Sequence, residues 1–278
     1  MPPVEVEYTE HGRWGGRLTN RPLPDRDSEI DKLSAHDRDR LAKIWLTRAA
    51  MERRVADSFE VIHSALTRQR AATDIIELSY RAIDDEYRHA ELSRVVASRF
   101  AGHELPPPER LVLETPKHTG ASPDLRDTLF VVGQCVLNET TAGVYLETCL
   151  THATGPLAVS ALRELLSDEI DHGRIGWAHL ASVSQDVRND IARWMLPMAY
   201  LNLRIWKYET ALDPNHTEAL SKHGAPPAET IHDALANALA SLIVPGLKQL
   251  GMSTASLEAW IEAGAGTDKP PVEFLGVS

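Results

Sequence analysis

At 278 residues, 43% of them apolar and 25% charged, the chain is long enough for one large globular domain or two small ones. A formal net charge of -11 argues against nucleic acid or an anionic membrane as its main partner, and only two cysteines argue against a disulfide framework and for a reducing, cytoplasmic setting. No apolar run reaches the ~18 residues of a spanning helix, and the N-terminus lacks a basic-then-apolar export signal.

Residues 1–33 show no sustained period and carry Trp14-Gly15-Gly16 and Arg21-Pro22-Leu23-Pro24, the text of an extended arm. Ser34 followed by Asp37 reads as a helix start. Leu41, Trp45, Ala49, Glu52, Val55, Phe59, Ile62 and Leu66 then recur at spacings of three or four, one inward stripe of a long first helix with Glu52 inside it. After a turn around Arg68 to Thr73, Asp74 with Glu77 reads as the cap of a second helix. Its inner face is Ile76, Ser79, Ala82, Ile83, Glu86, His89, Ala90, Ser93 and Ala97. Gly102 to Pro123, with Pro106-Pro107-Pro108, is a long crossover.

Ser122-Pro123-Asp124, an N-cap with Pro at the first helical position, opens a third helix that runs to about Thr151. One of its faces carries Val132, Cys135, Val136, Glu139, Ala142, Gly143, Leu146 and Leu150. Thr154-Gly155-Pro156 opens a fourth, with Leu162, Leu165, Leu166, Glu169, His172, Gly173, Gly176, His179 and Leu180 facing inward. Two more helices are expected near 186–212 and 228–250, then a short one near 256–263 and a tail over 265–278. The expectation is an all-α domain over 34–264, with a four-helix core over about 36–184 and additional C-terminal helices over 186–250.

Two strings carry the chemistry, Asp85-Glu86-Tyr87-Arg88-His89 and Asp168-Glu169-Ile170-Asp171-His172. In each, Glu and His at i, i+3 share one helix face and offer an oxygen and a nitrogen ligand from one rigid element. Glu139 and Glu169 are centred on residue 154, in the expected turn between their helices, so an antiparallel pair sets them level. Glu52 and Glu86, centred on residue 69, are level for the same reason. Glu60 is the rival on the first helix, but its helical neighbours Arg53, Asp57, Ser64 and Thr67 make a polar face. Arg48 offers Glu52 an i, i+4 cation in place of a metal, though such a pair does not account for the matched heights. Glu147 lies off the stripe that holds Glu139.

The expected ligands are therefore Glu52, Glu86, His89, Glu139, Glu169 and His172. Four carboxylates balance two divalent ions, and the mixed oxygen and imidazole set suits iron, with manganese as the alternative, better than zinc. Asp85 and Asp168 are placed to accept the second N–H of a His ligand from the neighbouring helix, with Arg88 neutralising them. His63, His179, Cys135 and Cys149 read as ordinary packing or surface residues.

These strings resemble the ExxH repeats of ferritin-like di-iron carboxylate proteins, and Asp85-Glu86-Tyr87-Arg88-His89 resembles the DExRH form of di-iron monooxygenase hydroxylases. Rubrerythrins and p-aminobenzoate N-oxygenases share the general arrangement. Over about residues 38–184 the resemblance implies a ferritin-like bundle whose centre of two Fe ions is held by the six residues above. Glu86 with Glu139 or Glu169 would bridge the ions, and Glu139 and Glu169 would be the catalytic carboxylates. It implies an oxidase or oxygenase that uses O2 to hydroxylate or N-oxygenate a small-molecule substrate, with electrons from a ferredoxin- or reductase-type donor. The sequence leaves the oligomeric state open, with a homodimer through outer helices as one expectation. Where the N-oxygenases carry an additional His, one turn before the last ligand Glu, this chain has Leu165, so their assignment does not transfer directly on the resemblance and N-oxygenation stands beside hydroxylation. An iron-handling ferroxidase or peroxidase is the alternative. The chain is far longer than a four-helix storage subunit and has no Cys-x-x-Cys module. A radical-generating subunit would carry Tyr where Ser93 stands. Thr140, Ala142, Gly143 and Gly173 are the small or hydroxylic residues expected to leave room beside the ligands, with the last helices and terminal arms as walls of a pocket.

Overall fold

The computed structural model describes residues 5–7, 15–17, 19, 22–210 and 215–271. Among these the regular structure is helical apart from one short antiparallel ribbon, β1 (Glu5–Glu7) paired with β2 (Gly15–Arg17), in which Val6 pairs with Gly16 in register. The segment expected to be an extended arm also holds a single helical turn, α1 (Ser28–Asp31). Asp27 fixes that turn in place. One of its carboxylate oxygens accepts from Glu29 N at 2.9 Å and the other from Leu157 N at 3.0 Å.

α2 (Ala35–Arg68) starts as its sequence predicts, with Ser34 Oγ accepting from Asp37 N at 3.0 Å. Leu41, Trp45, Ala49, Phe59, Ile62 and Leu66 are all buried. Ala56 completes the core face, and Val55 turns instead to a cavity described below. Arg70, at φ 53°, reverses the chain into α3 (Thr73–Ala101), which packs along the length of α2. The expected cap of α3 at Asp74 is not formed. Ala72 is the last extended residue, so the helix begins at Thr73, and Asp74 accepts from its neighbour Ile75 N at 3.0 Å. Gly102 ends α3 at φ 77°, a left-handed position that glycine adopts without steric cost.

After the crossover, Ser122 caps α4 (Pro123–Val131) through Leu125 N at 3.3 Å. The helix then winds through a π segment over Val132–Asn138 before continuing as α5 (Glu139–His152). α6 (Pro156–Ser182) packs against α5, α3 and the π segment and completes the four-helix core. α7 (Gln185–Thr210), α8 (Glu218–Lys222), α9 (Ala228–Ala238), a second π segment (Leu239–Ile243), α10 (Val244–Gln249) and α11 (Ala255–Glu262) follow. Contrary to the reading of the sequence, one helical run, Ala228–Gln249, is long and apolar enough to cross a membrane. Its apolar residues have another use: Ile231, Leu235, Leu239, Ile243 and Leu247 are buried in one core cluster with Trp194, Leu203 and Trp206 of α7.

Two further apolar clusters set the position of the site. One contains Leu41 and Trp45 of α2, Leu92 and Val96 of α3, Leu146 of α5 and Leu162 and Leu165 of α6. The other contains Phe59 and Ile62, Ile83 and Tyr87, Cys135, and Ile175 of the same four strands of chain. On α2, α6 and the helix of Glu139 the expected ligands fall between these two clusters, and on α3 Glu86 and His89 flank Tyr87 at the edge of the second. The bundle therefore has a polar slab at its middle, closed by apolar packing above and below.

Candidate metal centre

Glu86 and His89 of α3 lie one turn apart and are fully buried, as are Glu169 and His172 of α6 apart from a few per cent of their surface. Glu139 is the first residue of α5 and is also buried. Glu52 of α2 is half-buried because it forms part of the cavity wall. These residues make two groups whose ligand atoms lie within 4.8 Å of one another, Glu52, Glu86, His89 and Glu169 in one and Glu86, Glu139, Glu169 and His172 in the other. Each group could hold a metal ion, and Glu86 and Glu169 belong to both. Glu60 is exposed and in neither group. Leu165 is buried in the apolar cluster next to the site, and His179 is buried outside both groups.

The two imidazoles are oriented from behind. His89 Nε2 lies 3.1 Å from Asp168 Oδ2, and Arg88 donates to the same carboxylate. His172 Nε2 faces Asp85 more loosely, at 3.8 Å. Each aspartate thus serves the histidine of the other string, and Arg88, 3.5 Å from Asp85, joins the two. This leaves both Nδ1 atoms turned inward. His172 Nδ1 is 2.9 Å from Glu86 and 3.5 Å from Glu169, and His89 Nδ1 is 3.6 Å from Glu86 and 3.7 Å from Glu169. None of these contacts is aligned as a hydrogen bond. Among the described residues, both oxygens of Glu86, one of Glu169 and both Nδ1 atoms have no hydrogen-bond partner although they are buried. Buried polar atoms left this way cost several kcal/mol in sum. Lone pairs converging on a common point without bonding one another are what a cation would satisfy.

Electrostatics agree. Burial, reinforced by Glu86, pushes the Glu52 carboxyl well above the usual range, and burial with Glu169 does the same to Glu139. Burial opposes ionisation of Glu86, but His172 and His89 override it and hold its carboxyl at about 2. Burial also opposes protonation of His89, yet Asp168 and Glu86 raise it to about 10. His172 is raised too, against its burial, chiefly by Glu86. Without a cation the cluster balances its charge with protons, and the donor set of oxygens and imidazoles matches hard or borderline divalent metals.

Several supporting residues have no signal in the spacing. Gln134, inside the π segment, donates to Glu139 Oε1 at 2.5 Å. Asn138, at the end of that segment, accepts from Asn202 and from Trp206 of α7, each at 3.2 Å, and so ties the outer helix to the base of Glu139. Phe59 packs its ring 5.1 Å from that of His172. Gly176 is where α6 meets the π segment: a Cβ there would lie 2.6 Å from Cys135 Cβ and 2.8 Å from Val136 N. The π segment adds a residue to the turn, and Cys135, Val136 and Leu137 are consecutively buried just before Glu139.

A cavity of about 350 Å³ adjoins the cluster and is walled in part by Glu52, Glu139 and Glu169. Of the small residues expected to leave room, Ala142 lines it. Thr140 accepts from Trp177 Nε1 at 3.4 Å instead, and Gly173 packs toward Cys135 O. Arg48 does not pair with Glu52. Its guanidinium stacks 4.1 Å from the Trp45 ring and donates to Tyr145 Oη at 2.8 Å. Comparison of the chain with known protein families, curated proteins and solved structures finds no match. The chemistry of the site is therefore read from its own residues.

Proposed function

We propose that the chain is a ferritin-like di-iron oxidase or oxygenase that uses O2 to hydroxylate or N-oxygenate a small organic molecule, with manganese as the alternative metal. The observation that carries this reading is the cavity against Glu52, Glu139 and Glu169, the carboxylates of a cluster already short of cations. Glu86 and Glu169, shared by both groups, would bridge the two ions, while His89 and Glu52 would complete one and His172 and Glu139 the other.

When bound, the metal pair supplies a place for dioxygen and the means to pass electrons to it. The balance is substrate C–H or N–H plus O2, two electrons and two protons, giving the oxygenated product and water, with the electrons drawn from a ferredoxin- or reductase-type partner. The chain's own residues fix the ligands, exclude water and orient the substrate. Asp168 and Asp85 hold the imidazoles from the Nε2 side, so that Nδ1 would be the atom offered to a bound ion. The apolar clusters on either side keep solvent from the slab. Glu52, Glu139 and Glu169 stand both in the ligand set and in the cavity wall, so these three carboxylates would lie beside a bound substrate, with Glu139 and Glu169 as the proposed catalytic pair.

The iron-handling alternative needs no organic substrate and has no use for a cavity walled by Met51, Leu146, Trp206 and Ile231. Supplying excess Fe(II) in air separates the two. Oxidation that stops at the two ions of the centre supports the oxygenase reading, whereas sustained oxidation of many irons per chain with ferric mineral would replace it with a ferroxidase.

A further inference from the structure

We propose that the cavity takes an apolar carboxylic acid whose carboxylate is anchored by Arg48; calling that acid the substrate rests on the oxygenase reading above. The chain carries a net charge of -11, yet the cavity wall includes Arg40, Lys43, Arg48 and Arg54. The carboxylates in the same wall are Glu52, Glu139 and Glu169, all members of the metal cluster. Once a metal neutralises those three, the cavity is left with an excess of positive charge.

Arg48 is the cation that lacks an answer. Arg40 donates to Asn215 O at 2.7 Å, and Lys43 lies at the exposed rim and bonds Asp39 at 2.8 Å. Arg48 is 3% exposed. Its Cζ is 4.1 Å from the Trp45 ring and 5.3 Å from the Tyr145 ring, which fixes the guanidinium plane. Nη2 donates to Tyr145 Oη at 2.8 Å and Gly224 O at 3.3 Å. Among the described residues Nε and Nη1 have no hydrogen-bond partner. The carboxylate that acts on Arg48 is Glu52, which forms no direct ion pair with it and belongs to the metal cluster. Tyr145 does not supply the missing charge, because burial pushes its phenol upward and keeps it neutral.

A guanidinium stays charged at every working pH, and burying one without a counter-ion is costly. A bound anion removes that cost, and a planar carboxylate suits the rigid fork. The remainder of the ligand is mainly apolar, since Ile44, Met51, Val55, Leu146, Trp206 and Ile231 make up much of the remaining wall, with Thr47, Asn138, Thr210 and His216 as polar residues in it. At ~30 Å³ per water-sized volume the space holds about a dozen, the size of a medium-chain or phenyl-substituted acid. Arg48 stands one helical turn before Glu52, so the anchor places the acid's body alongside the ligand cluster.

The test is calorimetric titration of the full chain, loaded with Mn(II) and in parallel metal-free, with octanoate and 3-phenylpropanoate against their amides. The acids bind about 30-fold tighter than the amides in both preparations. Arg48→Gln abolishes that preference while leaving amide affinity and Mn(II) content unchanged, and Arg48→Lys restores part of it. Equal binding of acid and amide, absence of binding by either, or acid binding that survives Arg48→Gln because the carboxylate sits on the metals would each overturn the proposal. Failure of the chain to take up Mn(II) is read separately. It would sink the metal-centre reading, while the preference in the metal-free chain still decides whether Arg48 is an anion anchor.

Discussion

Nε2 of His89 lies 3.1 Å from Oδ2 of Asp168 on the neighbouring helix, and this contact turns Nδ1 of the same ring toward Glu86 and Glu169. The reciprocal contact, from His172 to Asp85, is longer at 3.8 Å. The two Asp-Glu-x-x-His strings are thus crossed through their aspartates, but unequally. Asp168 is also bonded to Arg88, and burial notwithstanding, His89 and Arg88 hold its carboxyl at about 2.

That inequality predicts different effects of two similar substitutions. Asp168→Asn weakens Mn(II) affinity by about tenfold or more, since it loosens both the orientation and the basicity of His89. Asp85→Asn costs less, because its contact is already longer than a hydrogen bond. Chelator competition measures both affinities, and equal losses would contradict the geometry.

Helix α2 offers a sharp choice of ligand. Glu52→Ala should reduce metal content below that of the unaltered chain, whereas Glu60→Ala, at an exposed position, should leave it unchanged. Metal analysis after gel filtration decides it, and the reverse outcome would remove Glu52 from the centre.

The metal-free chain should lose stability as the pH rises. His89 is raised from an ordinary 6.5 to about 10, so its charged contacts with Asp168 and Glu86 contribute fully below 6.5 and are lost as the pH passes through 10. A metal at Nδ1 takes the place of that proton, so loading at pH 7 releases protons and the loaded chain escapes the loss. Melting temperatures of the two forms from pH 6 to 10 should diverge, and parallel curves would count against protonated His89 in the metal-free state.

Gly176→Ala tests the contact between α6 and the π segment. The new methyl would meet backbone atoms of Cys135 and Val136 at 2.8 Å, which flexible side chains cannot relieve. A loss of about 2–3 kcal/mol in urea unfolding is expected. Gly143→Ala, with nothing within 4 Å of its added carbon, is the control and should be nearly neutral or slightly stabilising.

Much of this arrangement is legible in the sequence because its causes are local. Ser34 and Ser122 cap their helices through side chains three residues from their partners, and the stripe from Leu41 to Leu66 needs only the helical period. The level placement of Glu52 with Glu86, and of Glu139 with Glu169, follows from where the turns fall. The π segments are different: a wider turn has no residue preference of its own, and the ordinary period resumes on either side. Arg48 misleads for another reason. Spacing along α2 pairs it with Glu52, but Trp45, Tyr145 and Gly224 reach it first, and two of these come from elements distant in the chain. The apolar helix at 228–249 likewise owes its composition to packing against α7, a partner that its own text does not name. α3 starts at Thr73 because the turn from α2 fixes Ala72 as the last extended residue.

The proposed two-metal centre on Glu52, Glu86, His89, Glu139, Glu169 and His172 is open to anaerobic titration with Fe(II). Binding should saturate at two irons per chain, one for each ligand group, and fall below two in both Glu139→Ala and His172→Ala while the helical circular dichroism is retained. No uptake by the unaltered chain, or uptake that both substitutions leave at its original level, would contradict it.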